Sequence, residues 1–146
     1  MLTGSDHREI EELHHRYYLS TDAQDVDGFM DCWAEDGFEG FFSPSGDFTT
    51  RESLREFEDG HVHGDGMAVG KRHINTNLVV SSDGDGRALA TSYMIVIDVD
   101  NAPRIIATGK YTDSVCVKTD SGWKFARRDL VVDPGYEKLQ EPQKAG

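Results

Sequence analysis

From Lys71 to Val132 the chain reads as four strand-length runs separated by three short turn signals, and that pattern limits the fold more than any other. The runs are Arg72–Ser81, Arg87–Val99, Arg104–Lys118 and Trp123–Val132; the breaks are Asp83-Gly84-Asp85-Gly86, Asp100–Pro103 and Thr119–Gly122. Gly, Asp, Asn and Pro at such breaks supply the backbone angles that tight reversals need. Three consecutive hairpins make an antiparallel meander. Ahead of it, apolar residues recur with the helical period. Helices first and a meander second predict an α+β fold, with N-terminal helices packed on a strongly curved antiparallel sheet. Such a sheet closes part-way into a cone whose open end is one deep pocket. At 146 residues the chain is one domain, with a core over about 6–132 and a tail, 133–146, rich in Glu, Gln and Lys.

The helical half can be read element by element. Asp6-His7-Arg8-Glu9 resembles a capping box with Asp6 as the cap. Ile10, Leu13 and Tyr17 then form a stripe to about Ser20 or Thr21, while His14, His15 and Arg16 fall off it and are expected in solvent. Asp22 sits at the helix C-terminus, where the macrodipole disfavours a carboxylate. Either it belongs to the helix-ending turn or a distant partner holds it. Asp25 caps a second helix carrying Val26, Phe29, Met30 and Trp33 at i, i+3, i+4 and i+7. Gly37–Phe42 is a short aromatic strand closed by Ser43-Pro44-Ser45-Gly46, and Thr49 or Thr50 caps a third helix with Leu54 and Phe57, ending at Gly60. His61–Gly66 is expected to be a loop. Its His61-x-His63 pair and Asp65 offer metal-type ligands, but no third ligand follows at a helical or strand spacing, and no metal is expected.

The strand that opens the meander carries the chemistry. In Arg72-His73-Ile74-Asn75-Thr76-Asn77, alternation puts His73, Asn75, Asn77 and Val79 on one face and Ile74, Thr76, Leu78 and Val80 on the other. Three polar groups on one face suit either water or a lined cavity, and the reading favours the cavity. Imidazole changes charge near neutral pH, so a histidine at a pocket mouth is a candidate base that needs a partner.

Composition narrows the partners. A net charge of −12 argues against nucleic acid and anionic membrane surfaces. No apolar run approaches the ~20 residues that a bilayer-crossing helix needs, and Met1–Glu12 lacks the order of a signal peptide. Cys32 and Cys116 lie far apart in no Cys-x-x-Cys pattern, which predicts reduced thiols in a cytoplasmic protein.

The element order, together with Arg72-His73-x-x-Thr76-Asn77, Gly109-x-Tyr111-x-Asp113 and Gly122-Trp123-x-Phe125-x-x-Arg128, resembles the SnoaL-like branch of the nuclear transport factor 2 superfamily. The resemblance covers about residues 6–132. It implies the fold but says little about the reaction, since the superfamily holds dehydratases, isomerases, polyketide cyclases, epoxide hydrolases and non-catalytic subunits. Its bile-acid dehydratases and dehydrochlorinases pair a helix-end Asp with the His of the Arg-His motif and add an Arg on the last strand. By that resemblance Asp22, His73 and Arg128 take these roles, with Tyr17 as a further polar contact. Tyr18 rivals Tyr17, being i−4 to Asp22, and Arg127 rivals Arg128 as the inward-facing arginine. Expected substrate contacts are Tyr18, Phe29, Trp33, Phe57, Asn77 and Tyr111, although core packing alone also explains the aromatic ones.

The resulting expectation is a cofactor-independent lyase, dehydratase-like, acting on a hydrophobic polycyclic molecule of polyketide or steroid type. His73 is the base, Asp22 orients it, Tyr17 donates to a leaving hydroxyl or an enolate oxygen, and Arg128 anchors a carboxylate or carbonyl. A cyclase or double-bond isomerase would use the same pair. A non-catalytic ligand-binding domain or dioxygenase small subunit is the alternative from another class. The other face of the sheet, carrying large side chains, predicts a homodimer.

Overall fold

The computed structural model describes residues 1–100 and 102–135. The chain runs α1 (Gly4–Asp22), α2 (Val26–Asp31), β1 (Gly40–Ser43), β2 (Gly46–Phe48), α3 (Arg51–Val62), β3 (Lys71–Ser82), β4 (Arg87–Asp98), β5 (Arg104–Thr119) and β6 (Gly122–Val132). The expected tail lies, from residue 136 on, outside the described residues.

The four long strands form the predicted meander, and the N-terminal helices pack on a curved, open sheet. The strand order is β2-β1-β6-β5-β4-β3, which leaves β3 at one edge. One expectation needs correcting: the sheet is mixed, because β1 runs parallel to β6, with Gly40 opposite Arg127 and Phe42 opposite Asp129. Nothing local encodes that pairing, since its two strands are separated by the whole meander. Irregularities bend the sheet. Register shifts fall between Thr76 and Val79, between Ala90 and Ser92, and between Thr112 and Val115. Asn77 (φ 55°) and Asp113 (φ 41°) take left-handed backbone conformations there, as bulges require.

Three local readings differ from the structure. The α1 cap is Thr3 rather than Asp6: Thr3 Oγ1 accepts from the Asp6 amide at 3.1 Å, and Asp6 Oδ2 accepts from the Thr3 amide at 2.8 Å. The other oxygen of Asp6 accepts from Lys118 Nζ at 2.9 Å and Trp123 Nε1 at 3.0 Å, tying the start of α1 to the last hairpin. In α2 the helix stops at Asp31, and Trp33 forms an isolated parallel bridge with Phe125 instead of a further helical turn. The third helix runs through Gly60 to Val62, so His61 belongs to its last turn and not to a loop.

His14, expected in solvent, is fully buried. Its Nδ1 lies 2.7 Å from the Ile10 carbonyl and its ring meets Phe125 edge-on at 4.9 Å. It extends the buried Ile10–Leu13–Tyr17 face of α1. Cys32 and Cys116 are free and buried. Burial pushes their thiols up, to about 11 and about 12.

Burial, with Arg128 nearby, lowers the His14 imidazole from 6.5 to about 3. The unfolded chain therefore takes up a proton that the folded protein refuses, and stability is lost as pH falls from about 6.5 towards about 3. His14→Leu should remove this slope. In urea titrations between about pH 7 and pH 4, the midpoint of the variant should fall less than that of the wild type.

Candidate functional site

The C-terminal turn of α1 ends against the open edge of β3. Backbone N–H groups on the outer side of an edge strand have no strand partner, and Asp22 takes one of them. Asp22 Oδ2 accepts from the His73 amide at 3.1 Å, and Oδ1 lies 2.7 Å from His73 Nδ1. The side chains are only 12% and 8% exposed, which strengthens both contacts. This resolves the misplaced carboxylate: two hydrogen bonds from another element offset its unfavourable position at a helix C-terminus. With Nδ1–H donated to Asp22, the free Nε2 of the neutral ring is an acceptor.

His73 lines an open cavity of about 850 Å³, a volume that includes open solvent. The floor is apolar sheet: Met94, Val96, Ala107, Leu130 and Val132. Tyr17, Tyr18 and Phe29 close one wall, Phe57, Glu58 and His61 of α3 another, and Ser43–Ser45 and Met67 also contribute. An apolar cavity with a few converging polar groups is the usual form of a small-molecule site.

The tyrosines form a connected layer. The Tyr18 ring stacks on His73, with centroids 5.0 Å apart, and its hydroxyl donates to the Tyr111 hydroxyl at 2.7 Å. Tyr17 and Tyr18 both reach the cavity, so neither displaces the other. Burial is the main cause that raises both phenols well above their usual value, while Arg128 works in the opposite direction.

Arg128 is the inward-facing arginine, whereas Arg127 pairs with Asp129 at 2.9 Å and stacks on Phe42. The expected substrate-anchoring role does not match the geometry. Arg128 is fully buried behind the tyrosines and does not line the cavity. Its guanidinium lies 3.6 Å from the Tyr111 ring centre, 4.2 Å from that of Phe125 and 4.6 Å from that of Tyr17, and Nε donates to Ser114 Oγ at 3.2 Å. It supports the tyrosine layer from beneath by cation–π contact.

Two further expected contacts are absent. Asn77 is exposed, because the left-handed bulge at that residue shifts the alternation and turns Leu78 and Val80 inward in place of Asn77 and Val79. Trp33 is buried one layer behind the cavity, against Tyr17, Phe29 and Phe125. Phe29, Phe57, Tyr18 and Tyr111 do line it.

Sequence reasoning missed Glu58, and it read His61 as a loop residue with metal-type chemistry rather than as part of the cavity wall. Glu58 is 2% exposed, and its Oε1 accepts from Thr21 Oγ1 at 2.7 Å. Burial raises its carboxyl from 4.5 to about 7, against the lowering effect of the Thr21 hydrogen bond. His61 stacks on Phe57 at 5.1 Å and lies 6.3 Å from His73, centre to centre. Burial first, and His73 second, lower its imidazole to about 4. The signal was present: Leu54, Glu58 and Val62 fall at i, i+4 and i+8, and all three are buried. A carboxylate in phase with an apolar stripe marks either a buried partner or a site. His63, in contrast, is exposed and faces Asp59. Among the described residues no group of three or more His, Cys, Asp or Glu is placed to hold a metal ion.

Known structures place this architecture in context. A protein of unknown function with a cystatin-like fold from Nostoc punctiforme is 28% identical over 91% of this chain and 95% of its own, with a TM-score of 0.81. ActVI-ORFA from Streptomyces coelicolor is 25% identical over 90% and 98%, with a TM-score of 0.73. A putative scytalone dehydratase from Novosphingobium aromaticivorans shares the fold at 23% identity over 88% and 85%, with a TM-score of 0.72. Among curated proteins, none matches the chain. The SnoaL-like domain model matches residues 3–129, and the chain belongs to that family.

Proposed function

We propose that the protein is a lyase of dehydratase type, acting without a cofactor on a hydrophobic, polycyclic molecule of polyketide or steroid type. The observation that carries this reading is the Asp22–His73 pair, with Nδ1 held by the carboxylate and the ring lining an apolar cavity. Asp22 fixes the tautomer and stabilises the imidazolium that forms, so Nε2 is the base. A ketone in the cavity presents an acidic carbon next to its carbonyl. His73 takes that proton, and the electron pair moves into an enolate to whose oxygen the Tyr17 or Tyr111 hydroxyl donates. A hydroxyl on the neighbouring carbon then leaves. The SnoaL-like domain match and the fold shared with a putative scytalone dehydratase support a dehydratase-type reading. The same enolate begins a double-bond shift or a ring closure, and product analysis distinguishes these reactions.

Solvent-deuterium exchange into a panel of bicyclic ketones tests the proposal. His73→Ala should slow exchange by about 10² to 10⁴ while leaving ligand affinity nearly intact. Asp22→Asn should be severe too, since an amide can favour the wrong tautomer. Tyr17→Phe should cost less, ~1 to 3 kcal/mol of barrier. Wild-type exchange by His73→Ala would rule out the mechanism, and binding without any exchange would make this a ligand-binding domain.

The second proposal concerns assembly. Met94, Leu130 and Val132 face the cavity, so their neighbours Tyr93 and Val131 point to the opposite face of the sheet. Tyr93, Val131, Ile74, Val79 and Ile105 are all exposed, the last four strands each contributing. A second copy of the chain is the occupant this face suits, because a two-fold axis pairs the patch with itself. Light scattering at micromolar concentration should give a dimer mass, and Tyr93→Glu should shift it towards the monomer. A monomeric wild type would contradict the assembly.

A further inference from the structure

Two consecutive residues close α1, and each holds one ionisable side chain of the cavity. Asp22 holds His73, and Thr21 holds Glu58. Adjacent Cα atoms are ~3.8 Å apart, so these two anchors bring an imidazole of β3 and a carboxyl of α3 to one end of the same cavity. The dyad mechanism leaves Glu58 without a task. A carboxyl is costly to bury in apolar surroundings, and a simple helix–helix tie would need only a neutral polar group. The Thr21 hydroxyl has one proton, which goes to Glu58 Oε1 at 2.7 Å in preference to the Tyr17 carbonyl at 3.3 Å. Oε2 has no hydrogen-bond partner among the described residues, and Glu58 lines the cavity.

We propose that Glu58 is the general acid of the site, giving the proton on Oε2 to the departing hydroxyl of the substrate. This deepens the dehydratase reading and rests on it. His73 Nε2 takes the proton from the carbon beside the carbonyl, and the C–H electrons become the new C=C bond. The C–O bond breaks with its electrons on oxygen, and that oxygen takes the Glu58 proton and leaves as water. An imidazolium and a carboxylate remain, and transfer of one proton from the first to the second, through water, restores both. The tyrosines are poorer donors for this step, since burial raises Tyr17 and Tyr18 well above the ordinary phenol value. A carboxyl brought to about 7 is matched to proton transfer near neutral pH. The groups bearing on it are Asp22, which raises it, His63 just past the end of its own helix, which lowers it, and Thr21 and Tyr17 on α1. His61 and His73 share the cavity.

The test uses two probes with the intact protein: a β-hydroxytetralone, whose hydroxyl needs a proton to leave, and the matching β-acetoxytetralone, whose acetate does not. In Glu58→Gln the Thr21 hydrogen bond is kept. That variant should dehydrate the hydroxy probe about 10² to 10⁴ more slowly, exchange the carbon-bound proton within about twofold of wild type, and eliminate acetate at a near-normal rate. In the wild type, dehydration should decline above about pH 7 as Glu58 loses its proton. Thr21→Val removes a hydrogen bond to the ionised form and should move that alkaline limb to higher pH, a readout that stands even if Glu58→Gln fails to fold. Equal loss on both probes, normal dehydration by Glu58→Gln, or an unmoved limb in Thr21→Val would overturn the assignment. Wild-type exchange without dehydration would overturn Glu58 as the acid while leaving His73 as the base. Absence of both exchange and elimination in the wild type would overturn the two together.

Discussion

The pair of hydrogen bonds between Asp22 and His73 joins the two halves of this molecule at its most demanding point. One carboxylate receives both the backbone N–H and the ring N–H of a residue 51 positions away. It caps the exposed edge of β3, docks the end of α1 on the sheet, and sets the imidazole tautomer. A single partner thereby satisfies a structural requirement and a chemical one. The cost is a negative charge at the negative end of a helix, and it is tolerated because both oxygens are used.

Around that joint the protein separates support from contact. Tyr17, Tyr18 and Tyr111 face the cavity, and Arg128 lies beneath them with its charge spread over aromatic faces. The arginine acts on the site through the tyrosines: it holds their rings, and it works against the burial that raises the phenols of Tyr17 and Tyr18. Behind this layer, Trp33 and Phe125 fill the space between helices and sheet. The tyrosines of the cavity are thus supported by packed side chains, which suits a site that holds a ligand in one orientation.

Most of the architecture was legible because its signals are local. Turn residues at Asp83–Gly86 and Thr119–Gly122 and the α1 stripe depend on neighbours within a few positions, and the elements formed where they point. What was not legible depends on distant chain. The parallel pairing of β1 with β6 joins residues some 87 positions apart, Gly40 opposite Arg127. The bulge at Asn77 reverses the facing of every later residue in β3, so strict alternation assigned Asn77 and Val79 to the wrong side. Asp22 and His73 stood out because each was chemically out of place in its own element. Glu58 was equally out of place, on the stripe of Leu54 and Val62, but a stripe with only two strong apolar members did not expose it.

The central claim is that the Nε2 atom of His73 meets the reacting carbon of a ring-bearing ketone inside this cavity. A crystal structure of the protein with a bound tetralone tests it most directly. The account predicts the ring between Phe29 and Met94, the carbon beside the carbonyl within ~3 to 3.5 Å of Nε2, and Nδ1 still on Asp22. A ketone bound outside the cavity, or a His73 ring turned so that Nε2 faces Asp22, would contradict it.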